Sequence, residues 1–222
     1  MALRHEWKHR IDTAGLLALR ARLGAVLQRD PHALGGSYQV RSLYFDNLAD
    51  KALLEKLESV NHREKFRLRF YNGDLSLLVL EKKTKTNGLC GKAQTPLTVE
   101  EARALLEGRH QELGASSPLL GELRRKMDSQ GLRPKAIVEY TREPFLYGPG
   151  NVRVTLDYNI RTALSPAVFL DPGCVTLPAA DAPVILEVKW DAFLPDLVRD
   201  LVQLPGTRTS AFSKYAACRL YG

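Results

Sequence analysis

Between Arg63 and Phe70 the sequence reads Arg-Glu-Lys-Phe-Arg-Leu-Arg-Phe. On a strand, where side chains alternate between two faces, this places Arg63, Lys65, Arg67 and Arg69 on one side and Phe66, Leu68 and Phe70 on the other. Four like charges in a row repel one another and cost stability unless solvent or an anion compensates them. Guanidinium groups offer planar bidentate donors and ammonium groups compact point charges, so a mixed ladder suits several phosphate oxygens held in line.

The same division recurs along the chain. Arg4, Glu6, Lys8 and Arg10 alternate in one segment; Arg153, Thr155, Asp157 and Asn159 oppose Val152, Val154, Leu156 and Tyr158 in another. In a third, Ile185, Glu187 and Lys189 oppose Val184, Leu186, Val188 and Trp190. Any one of these strands could simply carry a solvated face. As a set they argue otherwise: surface charge is usually mixed in sign, whereas these faces are mostly basic and their opposite faces are apolar enough to be covered by helices. A barrel with its polar faces turned inward and helices packed outside satisfies both conditions, and its interior is a basic tunnel.

Period-two alternation closed by turn residues predicts strands near 3–11, 38–46, 61–71, 75–85, 92–97, 135–145, 151–160 and 184–190. Asn72-Gly73-Asp74 and Gly148-Pro149-Gly150-Asn151 read as hairpin connections. The expected fold class is α+β, an eight-stranded antiparallel β-barrel tunnel. Asp12 caps a helix with Leu16, Leu19, Leu23, Val26 and Leu27 on its apolar side, ending before Pro31. Thr98 with Glu101 forms a capping box for residues 99–107. Ser117-Pro118 opens a further helix carrying Leu119, Leu120, Leu123 and Met127. Two short helices are expected at 195–203 and 213–220, and a long irregular loop at 163–183.

The 222 residues suit one domain, 1–222. A net charge of +7 calls for an anionic partner. Nucleic acid would call for aromatic residues beside the cations for base stacking, and Phe66 and Phe70 lie on the opposite face. No run of eighteen apolar residues and no signal-peptide pattern occur, so neither membrane insertion nor export is expected and the predicted location is cytoplasmic. Cys90, Cys174 and Cys218, odd in number and far apart, read as free thiols. His5 and His9 are too distant on a strand to chelate one ion. Gly88-Leu-Cys-Gly91 lacks the context of a phosphate loop, and Ser213 has no His/Asp partner at a recognisable spacing.

In order along the chain, Arg4-His-Glu-Trp-Lys8, Arg41-Ser-Leu-Tyr-Phe-Asp-Asn47, Lys65-Phe-Arg-Leu-Arg-Phe-Tyr71, Leu80-Glu-Lys-Lys83, Val152-Arg-Val-Thr-Leu-Asp157, Ile185-Leu-Glu-Val-Lys189 and Phe212-Ser-Lys-Tyr215 resemble the motifs of the VTC-domain polyphosphate polymerases, within the CYTH-like, triphosphate tunnel metalloenzyme superfamily. The resemblance implies a tunnel in which Lys8, Lys65, Arg67, Arg69, Lys83, Lys92, Arg142, Arg153 and Lys189 hold phosphates, with Ser213 and Lys214 closing the site from the final helix. It implies catalytic roles for Lys83, Arg67, Arg69 and Lys214, and a single Mn²⁺ or Mg²⁺ on Glu187. Read without the resemblance, Glu187 is a salt-bridge partner of Lys189 or Lys83. Arg4 stands where the wider superfamily often has a first Glu, and Ala211 where some relatives have another Lys. The fused domains of eukaryotic relatives are absent, so a stand-alone catalytic domain is expected.

The expected partners are ATP and inorganic polyphosphate, and the expected reaction is transfer of the γ-phosphate to a growing chain. An inorganic or nucleoside triphosphatase on the same scaffold, and a non-enzymatic polyphosphate-binding module, are the alternatives.

Overall fold

The computed structural model describes residues 3–114, 116–179, 183–205 and 212–219. In chain order these form β1 (His5–Ile11), α1 (Thr13–Val26), β2 (Gln28–Arg29), β3 (Tyr38–Asp46), α2 (Lys51–Leu57), β4 (Arg63–Tyr71), β5 (Asp74–Thr86), β6 (Leu89–Pro96), α3 (Val99–Leu106), α4 (Pro118–Gln130), β7 (Arg133–Tyr147), β8 (Val152–Thr162), β9 (Leu177–Pro178), β10 (Val184–Trp190), α5 (Asp196–Leu201) and α6 (Lys214–Arg219). Every described pairing is antiparallel, and the long strands follow one another in the order β1-β10-β8-β7-β3-β4-β5-β6. The sheet curls until its two edge strands meet. There Arg4 and Cys90 exchange both backbone hydrogen bonds, at 3.0 Å each, in an isolated bridge.

Alternation sorts the side chains of this curled sheet onto two faces. On the outer face Leu43, Phe45, Phe66, Leu68, Phe70 and Leu80 pack under α3 and α4 through Ala102, Leu105, Leu120, Leu123 and Met127. Farther round, Val154, Leu156, Leu186, Val188 and Trp190 pack under α1 and α5 through Leu16, Leu19, Leu23 and Val198. Local signals start these helices as the sequence demands. Asp12 accepts from Gly15 N at 2.7 Å. Thr98 and Glu101 close a reciprocal capping box, and Ser117 caps α4 ahead of Pro118. The Schellman-type end of α4 falls on Gly131 at φ 66°, a conformation that favours glycine.

A third apolar cluster lies on the inner face. Val40, Tyr44, Val138, Tyr140 and Ile185 surround Tyr215, Ala217 and Cys218 of α6. Among the described residues, α1, α3, α4 and α5 thus pack on the outer face, whereas α6 enters the barrel and Leu53 of α2 packs against the same inner cluster. Tyr215 donates to the buried Asp46 at 2.8 Å, and Arg219 reaches Asp50 at 2.9 Å, which together fasten α6 to the segment after β3.

Several expectations need correction. The strand expected at 92–97 is β6 and begins at Leu89, because the Asn87-Gly88 turn, both residues at positive φ, closes a tight hairpin with β5. α2 was missed: none of its residues is buried, so no apolar stripe marks it. The stretch expected to be irregular, 163–183, contains a 3-10 turn at Pro166–Leu170 and the short strand β9. Val26 is 46% exposed and leaves the apolar side of α1 to Leu16, Leu19 and Leu23. Asn159 adopts φ 52° and interrupts the alternation of β8, so the following Ile160 faces the inner cluster. Leu220 and Ala211 lie outside the described residues.

The burial difference along α1 gives a direct check. Leu23→Ala should lower the unfolding free energy by about 2–5 kcal/mol, and Val26→Ala by about 0.5 kcal/mol or less, as read by urea denaturation. Equal losses would place Val26 in the core after all.

Candidate functional site

The tunnel wall is set by strand register. Lys65 on β4 stands opposite Lys83 on β5, which stands opposite Lys92 on β6. One step along, Arg67 lies between Tyr44 on β3 and Glu81 on β5, and a further step brings Arg69 opposite Ser42. The arginines are held rigidly. Arg67 donates Nε to Glu81 Oε2 at 2.6 Å and Nη1 to Tyr44 Oη at 2.8 Å. Arg69 donates Nε to Ser42 Oγ at 2.9 Å and Nη2 to Tyr140 Oη at 3.2 Å. Burial alone would push the Glu81 carboxyl up; Arg67, Arg69 and Lys92 outweigh it and keep Glu81 ionised far below the usual range.

Lys65 and Lys83 differ from the arginines. Among the described residues neither has a carboxylate within ion-pair distance. Lys65 has the Tyr44 ring at 5.2 Å. Its ammonium is pulled below the ordinary lysine value by burial, with Lys8 and Arg67 adding to the effect. Arg67 is the largest influence on Lys83, followed by burial and Lys189, and together they drive Lys83 well below its ordinary value. Farther out, burial and the charges of Arg63, Lys8, Lys65 and Lys85 bring Lys56 of α2 down to about 8. This edge of the tunnel is short of negative charge.

The opposite wall balances itself. Lys8 faces Glu187 in register and Glu6 faces Lys189. Lys189 Nζ lies 2.5 Å from Glu187 Oε1 and 3.4 Å from Glu6 Oε2; Lys8 Nζ lies 2.6 Å from Glu6 Oε1 and 3.8 Å from Glu187 Oε2. Burial raises both carboxyls, and the two lysines bring them back below the ordinary value. Asp157 takes a bidentate pair from Arg142, 2.7 Å on each arm, and a third contact from Lys214 at 2.6 Å. The Tyr140 ring lies beneath both cations, 5.2 Å from Arg142 and 4.7 Å from Lys214.

The structure thus gathers Lys8, Lys65, Arg67, Arg69, Lys83, Lys92, Arg142, Lys189, Lys214 and Glu187 around one interior. Two expected members stand apart. Arg153 is turned toward Asp30 and Tyr38, each 2.7 Å from Nη2. The Ser213 hydroxyl accepts from Ala216 N at 3.3 Å and so caps α6, a helix of six residues too short to act as an anion site of its own. Glu187 is not a solitary carboxylate: Glu6, Glu81 and Asp157 share the interior, and each compensates particular cations. As the plain reading of the sequence had it, Glu187 forms a salt bridge to Lys189. Arg4, standing in place of an acidic residue, pairs with Asp191 at 2.7 Å. Sequence reasoning missed Tyr44, Tyr140 and Glu81. Strand register turns all three inward, and their neutral or opposite charge gave no signal beside the basic ladder.

A divalent ion fits this interior only with help. Among the described residues no three His, Cys, Asp or Glu side chains converge. Glu6 and Glu187 are adjacent, however, and Thr155 stands opposite Glu187 in register with a buried hydroxyl that has no hydrogen-bond partner among the described residues. Mg²⁺ and Mn²⁺ commonly use one or two carboxylates and complete their shell with water and phosphate oxygens. The donor set fits a metal that arrives with its phosphate ligand.

Residues 3–221 match the VTC domain. No curated protein is detectably similar in sequence. Among solved structures, the putative adenylyl cyclase HpAC1 from Hippeastrum, described as having a dominant triphosphatase activity, superposes with a TM-score of 0.59 at 16% identity, over 99% of this chain and 96% of that one. A putative adenylate cyclase from Bacillus halodurans superposes with a TM-score of 0.53 at 16% identity, over 85% and 80% of the two chains. Both likenesses establish the curled tunnel fold. Among the described residues no helix is long and apolar enough to cross a membrane.

The contrast between the paired and unpaired cations predicts opposite stability effects. Arg67→Met removes the closest partner of the buried Glu81, leaving it Lys92 at 3.2 Å, and should cost up to about 3–5 kcal/mol. Lys83→Met removes an ammonium on which repulsion and burial outweigh the attraction of Glu187 and Glu6, and should raise the thermal midpoint at neutral pH. The folded value of Lys83 lies below the unfolded one, so the native protein binds fewer protons there and wild-type stability climbs as pH rises through that interval. The advantage of Lys83→Met should therefore vanish above about pH 10.4. Calorimetric scans across pH check this; a lower midpoint for Lys83→Met at neutral pH would contradict it.

Proposed function

We propose that this chain, which belongs to the VTC domain family, is a polyphosphate polymerase that transfers the γ-phosphate of ATP to the end of a growing polyphosphate chain. The observation that carries this reading is the row Lys65, Lys83 and Lys92, side by side on three strands, with two of the three lacking a carboxylate partner among the described residues. A polyanion is the ligand that satisfies such a row.

Phosphoryl transfer asks mainly for alignment and for neutralisation of charge on non-bridging oxygens. Arg67 and Arg69, fixed by Glu81, Tyr44, Ser42 and Tyr140, present guanidinium edges that need little reorganisation as charge builds. Phosphate oxygens arriving beside Lys65 and Lys83 would offset the burial and like-charge repulsion that lower both ammonium groups. Arg142 and Lys214, tied together through Asp157, grip from the α6 side. The attacking oxygen belongs to a terminal phosphate already ionised at neutral pH. No general base is required, in keeping with His5 lying stacked on Trp190 on the outer face. The bond from Pγ to the bridging oxygen breaks as the new P–O–P link forms, and ADP leaves. Glu187 with Glu6 would hold Mn²⁺ or Mg²⁺, which when bound supplies further charge neutralisation and a better leaving group.

A second reading, a triphosphatase, draws on two observations. The inner apolar cluster around α6 fills part of the interior, and Glu6, Glu81 and Asp157 offset much of the positive charge. Both suit a short triphosphate.

Product analysis separates the readings. With ATP and Mn²⁺ the expected products are ADP and acid-labile long-chain polyphosphate. ADP with stoichiometric orthophosphate and no polymer, even with a short primer, would establish the triphosphatase; tight polyphosphate binding without turnover would establish a binding module. Tripolyphosphate at a hundredfold excess over its Kd should stabilise the protein by about 2.7 kcal/mol, and the absence of any rise in thermal midpoint would count against a phosphate tunnel. Glu187→Gln should lose metal-dependent turnover and keep triphosphate binding. Full activity of that variant across a Mn²⁺ titration would remove Glu187 from the mechanism.

A further inference from the structure

Tyr44 lies buried among the cations of β4. It is 5% exposed and stacks on Tyr215 of α6 with ring centroids 5.0 Å apart. Its oxygen accepts a hydrogen bond from Arg67 Nη1 at 2.8 Å, on the side of the guanidinium away from Glu81. The Lys65 ammonium lies 5.2 Å and the Arg67 guanidinium carbon 5.7 Å from its ring centre. The groups facing it from the surrounding elements are Arg67, Arg69 and Lys65 of β4 and Tyr215 of α6. Beyond these, Glu81 of β5 is committed to Arg67 and Asp46 of β3 to Tyr215. The cations nearest Tyr44 thus outnumber the carboxylates left to compensate them.

We propose that Tyr44 is a built-in placeholder anion: in the ligand-free tunnel its phenolate oxygen, hydrogen-bonded to Arg67, offsets the charge of Arg67 and of the nearby Lys65, and it takes up a proton when phosphate oxygens reach the same cations. This rests on the phosphate-tunnel reading and adds to it a proton linkage and a positioning residue. The chemistry balances simply. A solvent proton forms the O–H bond of Tyr44, the incoming phosphate assumes the negative charge, and no electrons move. Burial raises the Tyr44 phenol, but Arg67, Lys65 and Arg69 outweigh it and bring it to about 7. The Tyr215 phenol beside it is driven up by burial and Asp46, so it stays neutral and does not compete for the role.

The sign of the linkage follows. Above about pH 7 the free tunnel holds Tyr44 ionised, so binding there requires a proton and affinity falls as pH rises, by up to about tenfold per unit. Phosphate binding would also raise the Lys65 and Lys83 ammonium groups that burial and repulsion lower, so proton uptake alone does not identify Tyr44; its near-ultraviolet phenolate absorbance does.

The experiment is a titration of the full chain with tripolyphosphate at about pH 8, followed by isothermal calorimetry and by the phenolate absorption band, for wild type and Tyr44→Phe. Phenylalanine retains the stack on Tyr215. The expected result is loss of about one phenolate per wild-type molecule on binding, no such loss in Tyr44→Phe, and a shallower pH dependence of affinity in the variant. Wild type that binds tripolyphosphate with its phenolate band unchanged overturns the proposal while leaving the phosphate tunnel standing, whether or not the variant folds. A variant that shows the same phenolate loss assigns it to another tyrosine and also overturns it. A wild type that does not bind tripolyphosphate overturns the tunnel reading and the linkage together.

Discussion

Lys65, Lys83 and Lys92 stand opposite one another on three adjacent strands, and the rest of the architecture answers to that repulsion. Turning the cations inward concentrates them, so the interior must also carry counter-charges. Glu81 anchors Arg67 and Lys92, while Asp157 anchors Arg142 and Lys214. What remains uncompensated is confined to one stretch of wall around Lys65 and Lys83. Charge shortage is therefore localised rather than spread along the barrel, and the unpaired cations sit beside arginines whose geometry is already fixed.

The inward turn of the charges also dictates the outside. Each strand that points Lys or Arg inward points Phe, Leu or Val outward, and those faces require cover. Two separate helix layers provide it, α3 with α4 over β3, β4 and β5, and α1 with α5 over β8 and β10. The inner cluster is a different solution, in which α6 is drawn into the barrel by Tyr215 and held by Asp46 and Asp50. The same short helix carries Lys214 to Asp157, so the packing of one apolar ring fixes the position of one interior charge.

How much of this could be read from the sequence follows from what kind of signal each part leaves. Strands with strict alternation, such as β4 and β10, were legible because parity is local. The capping box of α3 and the Pro-started α4 were legible because their caps are written in consecutive residues. α2 left no trace, having no buried face to impose a period. Among the site residues, the cations announced themselves by number, but their pairing is a long-range matter. Nothing near Arg153 in sequence shows that Asp30 and Tyr38 claim it, and nothing near Arg67 shows that it is shared between Glu81 and Tyr44. Val26 and Asn159 failed for simpler reasons, a helix end that leaves the core and a left-handed residue that resets the alternation.

The order in which the strands pair has a consequence for synthesis. β1 is made first, yet its ladder partner is β10, with His5 opposite Trp190, and its contact with β6 is a single bridge at Arg4 and Cys90. The strands β3 to β6 and β7 to β8 can pair with near neighbours as they emerge, whereas β1 must wait until β10 has left the ribosome. Until then Trp7, whose place is among the residues beneath α1 and α5, has no strand to lie against. Lys8 and Glu6 likewise remain solvated apart from Glu187 and Lys189. The tunnel therefore acquires its carboxylate wall last, in the same event that closes the barrel, so an incompletely synthesised chain holds the cations of β4 and β5 without the Glu6–Glu187 pair that faces them.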